Sequence, residues 1–309
     1  MLINVGGFGH TGNTAVQDLL LDTGCFAPLA NNFGESAVLR GRWCVAGMLR
    51  SLEAGRVDVP IRYFFDALIG VTKKEHARDN PPGVNEFKRN ANVHRCLGSG
   101  YVAAVSKLVH EFERALEGSA DKSHFSRHSL LPFFHRLTDL ALKRSSSQGC
   151  THALTRNDPA GYAVGLLEFS THSRHLSVIR DPVDSAYEWA NYYYDRPDEE
   201  TIRRFTSQFK RKLKRFLNEY SALPPDIKER IAVVSFEDVV QSSKVRATLC
   251  NYLHVSRPAG SKRFNPEQSV KNIGVGRKMP SPLQQIVISG CRKEYDRFIT
   301  ECQSIVIGG

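Results

Sequence analysis

The stretch Gly6-Gly7-Phe8-Gly9-His10-Thr11-Gly12-Asn13-Thr14 has the residue types and spacing of an anion cradle. Apolar residues 3–5 lead into it and a helical pattern, Ala15-Val16-Gln17-Asp18-Leu19-Leu20-Leu21, leads out. In such a turn successive backbone N–H groups and the positive end of the helix converge on one point. The glycines permit close approach and positive φ. Gly7-x4-Gly12-Asn13-Thr14 has the spacing of the triphosphate loop G-x-x-x-x-G-K-[ST], with Asn13 in place of its lysine. That lysine belongs on the β- and γ-phosphates, so its loss argues against ATP or GTP as the ligand.

Other residues offer complementary chemistry. Arg180 ends an apolar run in Val178-Ile179-Arg180-Asp181-Pro182, and its guanidinium fork suits phosphate oxygens. The structural alternative is an ion pair with Asp181 or Asp184. Glu35 follows a second apolar segment, where a carboxylate can take a proton from an acceptor hydroxyl or amine, or simply cap a turn. His10 can offset charge developing on a leaving oxygen, or only shape the turn. His128, His135 and His152 are reserve bases. Residues 269–278 form a basic glycine loop carrying Lys271, Arg277 and Lys278, read as a cover for a bound nucleotide or a connector.

The elements that must position these groups alternate. Strands are expected near residues 3–7, 25–29, 151–155, 174–179 and 230–235, and helices over 15–21, 99–117, 129–144, from 183, over 237–253 and over 281–302. Such alternation predicts an α/β fold, a parallel β-sheet flanked by helices, with ligands beyond the carboxyl ends of the strands. The whole chain, 1–309, is expected to form one domain, with a mainly helical insertion at about 36–150 that shapes an acceptor pocket. The basic run from Arg203 to Arg215, with Lys212 in it, reads as a solvated face over a stripe of Phe205, Phe209, Leu213 and Phe216 or Leu217, the alternative being a dock for an anionic acceptor or nucleic acid. Tyr192, Tyr193 and Tyr194 read as packing residues. Residues 256–280 read as a loop.

The formal charge of +10 favours anionic partners but does not choose among them. Seven dispersed cysteines without a Cys-x-x-Cys or zinc spacing fit reduced thiols rather than a disulfide or metal framework. No apolar run approaches the length of a membrane span, and the loop begins within six residues of Met1. The expectation is a cytoplasmic chain with no membrane partner. No zinc finger or RNP pattern accompanies the basic run, so no nucleic-acid partner is expected.

Four of these features, in order, resemble the sulfotransferase family that uses 3′-phosphoadenosine 5′-phosphosulfate (PAPS). They are the loop at His10-Thr11-Gly12-Asn13-Thr14, the glutamate at Glu35, Arg180-Asp181-Pro182, and the corner Ser235-Phe236-Glu237-Asp238-Val239, followed by the basic loop at 269–278. The resemblance implies a P-loop-like phosphosulfate site and sulfuryl transfer to a hydroxyl or amine of a small-molecule or glycan acceptor. The product would be 3′-phosphoadenosine 5′-phosphate (PAP), with no metal. It assigns Gly9, His10, Thr11, Gly12, Asn13 and Thr14 to the 5′-phosphosulfate and Arg180 to the 3′-phosphate, with Ser185 as the nearest serine to take over the second 3′-phosphate contact. Lys271, Arg277 and Lys278 would close over the cofactor, Glu35 would be the base, and His10 would sit at the bridging oxygen. Two departures stand out. His10 occupies the place of the family's loop lysine, and Glu188 the place of its 3′-phosphate serine. A P-loop kinase or NTPase and a non-catalytic polyanion-binding module remain the alternatives.

Overall fold

The computed structural model describes residues 1–28, 99–118, 135, 139–140, 142–143, 145–157, 167 and 172–302. Five strands make one sheet: β1 (Leu2–Gly7), β2 (Phe26–Pro28), β3 (His152–Asn157), β4 (Ser173–Ile179) and β5 (Ile231–Ser235), in the order β2-β3-β1-β4-β5. β2 runs parallel to β3, with Ala27 opposite Ala153, and β4 runs parallel to β5, with Ser177 opposite Val233. β1 is buried along its length, as expected of a strand covered on both faces. The expected α/β class, a parallel sheet with helices, is the observed one.

Seven helices of six or more residues stand among the described residues: α1 (Asn13–Asp22), α2 (Ser99–Glu117), α3 (Pro182–Tyr194), α4 (Glu199–Ser221), α5 (Phe236–Gln241), α6 (Ser243–Tyr252) and α7 (Ser281–Glu301). The single helix expected over 237–253 is two, because Ser242 takes an extended conformation and its hydroxyl accepts the N–H of Val245. The stretch 256–280 is not wholly loop: Pro266–Ser269 makes a helical turn, and Val270–Asn272 and Val275–Lys278 are 3-10 turns. Most of the expected insertion at 36–150, most of the helix at 129–144, and Glu35 and His128 lie outside the described residues. No helix among the described residues is long and apolar enough to cross a membrane.

The chain divides into two compact units. The first comprises Met1–Ile3, Phe26–Asn157 and Leu166–Ser173. In it the carbonyl of Met1 accepts the N–H of Ala153, and the ring of His152 packs on Phe26 at 5.1 Å. The second comprises Asn4–Cys25, Asp158–Gly165 and Arg174–Gly309. Its core is aromatic. The Phe8 ring lies 6.0 Å from Phe209 and 5.9 Å from Phe216, both on α4, and 5.1 Å from Phe298 on α7. Within this core Asn4 Nδ2 on β1 lies 2.7 Å from His175 Nδ1 on β4. Burial pushes the fully enclosed His175 imidazole down to about 3.

Candidate functional site

The second unit carries the site. Phe8 anchors the start of the turn between β1 and α1, and three residues that follow take positive φ: Gly9 at 103°, His10 at 54° and Gly12 at 84°. Two are glycines, for which the left-handed region is cheap, but His10 pays for its conformation. The Thr11 hydroxyl accepts the Phe8 N–H at 3.3 Å and so closes the turn on itself. Gly12 begins α1 with no side-chain cap. With no side chain capping it, the positive end of that helix favours an anion. A side chain at Gly12 has no room, since a Cβ there would sit 2.2 Å from Cδ2 of Phe236.

Beside this turn is a cavity of about 360 Å³, lined on the loop side by His10, Gly12, Asn13, Thr14 and Asp18. Arg180, Glu188 and Phe236 line it from the sheet end, and Arg263, Gln268, Ser269 and Asn272 from the late turns. Its size falls in the range of small-molecule sites, roughly 300–1,000 Å³.

Arg180 is the hub of the cavity, and its side chain is only 2% exposed. Its Nη1 donates to Glu188 Oε2 at 2.6 Å and to the His10 carbonyl at 3.3 Å. Its Nη2 donates to the carbonyl of Asn272, and the guanidinium carbon stands 4.9 Å from the centre of the Phe236 ring. Its Nε is buried with no hydrogen-bond partner, a donor left over at the cavity wall. The expected structural alternative, pairing with Asp181 or Asp184, is not what the structure has. Asp181 caps α3 by accepting from Val183 and Asp184 N–H. Asp184 accepts the N–H groups of Gly274 at 2.6 Å and Gly276 at 2.7 Å, which ties the late turns to α3. Gly276 must be glycine for that approach, because a Cβ would lie 2.7 Å from the Val183 carbonyl carbon.

The corner after β5 holds the Arg180 turn from the other side. Glu237 Oε1 accepts the Asp181 N–H at 2.9 Å, and the Ser235 hydroxyl donates to Glu237 Oε2 at 3.2 Å. Burial raises the Glu237 carboxyl above the ordinary carboxylate range, opposed by those hydrogen bonds and by the charge of Arg180. Among the described residues no group of three or more His, Cys, Asp or Glu is placed to hold a metal ion.

No family model matches this chain, and no curated protein matches it in sequence. Among solved structures it is similar to the sulfotransferase domain of the olefin synthase from Synechococcus PCC 7002. The identity is 13%, the match covers 95% of this chain and 93% of that one, and the TM-score is 0.45.

Of the residues singled out in the sequence, His10, Gly12, Asn13, Thr14 and Arg180 share the cavity wall. Gly9 and Thr11 belong to the turn but not to that wall. Ser185 is fully buried in the first turn of α3, its hydroxyl without a partner, and Glu188 stands at the wall instead. Lys271 and Lys278 are exposed. Arg277 lines a second cavity with Asp184, Glu237 and Gln284. His152 belongs to the first unit. The tyrosines read as packing are at the surface: Tyr192 is 73% exposed and Tyr193 59%, and both rings lie within 6 Å of His10. Sequence reasoning gave no site role to Phe236, Arg263 or Asn272. Phe236 had a signal, its place beside the Ser235–Glu237 corner, whereas Asn272 contributes a carbonyl that no side-chain pattern reports.

Proposed function

We propose that this chain transfers a sulfuryl group from PAPS to a hydroxyl or amine of a small-molecule or glycan acceptor and releases PAP. One observation carries the reading. A buried arginine at the end of β4 is hydrogen-bonded to the carbonyl of His10, so the anion turn and a guanidinium line one cavity. The orphaned Nε of Arg180 and the uncapped start of α1 fit a doubly anionic nucleotide.

When bound, PAPS supplies a sulfuryl group already activated on the bridging oxygen of its 5′-phosphate. The N–H groups from Gly9 to Thr14 would hold the 5′-phosphosulfate, and His10 would face the bridging oxygen. Arg180 would hold the 3′-phosphate once Glu188 gives way. Ser185, inside the same first helical turn, supports that end in this reading, and Lys271, Arg277 and Lys278 close the late loop. Glu35 is the base for the acceptor proton. Asp184, Glu237 and Phe236 position the turns that carry these groups.

The test is a thermal-shift panel of PAP, PAPS, ATP-Mg²⁺ and GTP-Mg²⁺ on the purified chain, since a ligand that binds only the native state raises its midpoint. PAP and PAPS are expected to shift it and the triphosphates not to. A shift by ATP-Mg²⁺ with none by PAP overturns the reading in favour of a kinase or NTPase. Within the reading, Glu35→Gln should lower turnover at least tenfold while PAPS affinity stays within about twofold.

A further inference from the structure

The anion turn carries an imidazole at position 10, and an ordinary imidazole is mostly uncharged above pH 7. A second cation reaches the same turn from far along the chain. Lys212, in α4, donates from Nζ to the carbonyl of Phe8 at 2.8 Å, across 204 positions of sequence. The same Nζ is 3.3 Å from where a Cβ on Gly9 would be. The packing dictates this placement. Phe209, Lys212 and Phe216 follow at i, i+3 and i+7, so they share one face of α4. The Phe8 ring seats against both phenylalanines, which leaves its carbonyl opposite the residue between them. Gly9, at φ 103°, leaves room for the ammonium.

We propose that Lys212 is the permanent cation of the anion turn, supplied by α4 in place of a lysine within the turn. The inference rests on the proposed phosphosulfate site, and it says which residue holds the charge there above neutral pH. In the transfer, the bond between sulfur and the bridging oxygen breaks with its electron pair left on PAP. The acceptor oxygen or nitrogen bonds to sulfur and gives its proton to the base. Lys212 moves no proton: its charge lowers the cost of the negative charge that collects on the departing phosphate. The charged side chains that share the cavity wall with His10 are Asp18, Arg180, Glu188 and Arg263, and Tyr192 and Tyr193 lie against its ring. Of these side-chain types only imidazole ordinarily titrates between pH 5 and 8. The phosphates of the probes also gain charge in this range, so the share of the pH response that belongs to His10 is the share removed when His10→Lys is added to Lys212→Gln.

The experiment measures binding of inorganic pyrophosphate and of PAP by calorimetry at pH 6 and pH 8, each variant against wild type at the same pH. Lys212→Gln is expected to weaken pyrophosphate at least tenfold at pH 8 and about threefold at pH 6, where an ordinary imidazole is mostly charged. Lys212→Arg is expected to stay within about threefold. The double variant His10→Lys, Lys212→Gln is expected to recover the pH 8 loss. Equal weakening at both pH values without recovery means that Lys212 only holds the Phe8 carbonyl, and overturns the proposal. If Lys212→Gln does not fold, His10→Gln decides: retained affinity at pH 8 supports Lys212, and a tenfold loss there refutes it. Pyrophosphate binding with this pattern but no PAP binding keeps Lys212 and sinks the PAPS reading. No binding of either probe by wild type at either pH sinks both, and PAP binding unaffected by Lys212→Gln at pH 8 sinks the Lys212 proposal alone.

Discussion

Arg180 and Glu188 meet at 2.6 Å inside the candidate site, the guanidinium 2% exposed and the carboxylate 30%. The arginine therefore comes with its own internal anion. A ligand phosphate must compete with that carboxylate. Glu188→Gln is expected to cost about 1–3 kcal/mol of unliganded stability, because Arg180 loses its counter-charge. It should also tighten PAP at least tenfold. Chemical denaturation and calorimetry read the two effects, and unchanged PAP affinity would mean that the nucleotide never reaches Arg180.

Gly12→Ala tests the tight start of α1. The added methyl meets the Phe236 ring at 2.2 Å, and the backbone is at φ 84°. The expected loss is about 2–4 kcal/mol of stability, from strain plus overpacking. PAP binding should go with it. A stable variant with intact binding would show that Phe236 can swing away.

Asp184 holds the late turns by two backbone N–H groups. Asp184→Ala should cost about 2–4 kcal/mol, as two charge-assisted bonds are lost and their donors left buried. Hydrogen exchange should rise at Gly274 and Gly276 before it rises in β4. Exchange unchanged at both glycines would show that other contacts hold the turns.

His175 sets a pH dependence. The native imidazole stays neutral down to about 3, whereas the unfolded one protonates near 6.5. Between those values the unfolded state binds the extra proton, so stability is fully present above pH 6.5 and falls as the pH drops. The slope is at most about 1.4 kcal/mol per pH unit. Equilibrium denaturation of wild type and His175→Gln between pH 7 and 5 should show a shallower decline in the variant. Parallel curves would place the acid sensitivity elsewhere.

The strands were legible because parallel strands are short apolar runs bounded by polar turns: residues 174–179 and 230–235 fell within a residue of β4 and β5. The anion turn and Arg180 were legible because glycine spacing and a strand-end arginine are local signals. What was not legible is long-range pairing. Nothing near Arg180 in sequence says whether it takes Asp181, Asp184 or Glu188, since all three are within reach of one helix. Asp181 goes to its own helix cap and Asp184 to two glycines about 90 residues on, which leaves Glu188. Lys212 was hidden differently. Its neighbours form a basic run that a solvated face explains, and only the seating of Phe8 on α4 picks it out of that run. The tyrosines pack on one another and on Trp189, as an aromatic triplet on a helix usually does, yet Tyr192 and Tyr193 stay mostly exposed.

The Phe8 wedge has a consequence for the order of events in making the protein. Its ring is closed in by Phe209, Phe216 and Phe298, the last on α7. Synthesis supplies the turn's own residues first and that final wall almost 290 positions later. On the ribosome the early segment therefore emerges as a length of chain without its clamp, and the wall behind Phe8 is completed only once α7 has been made. A nascent chain arrested before residue 281 should carry every loop residue and still fail to bind PAP.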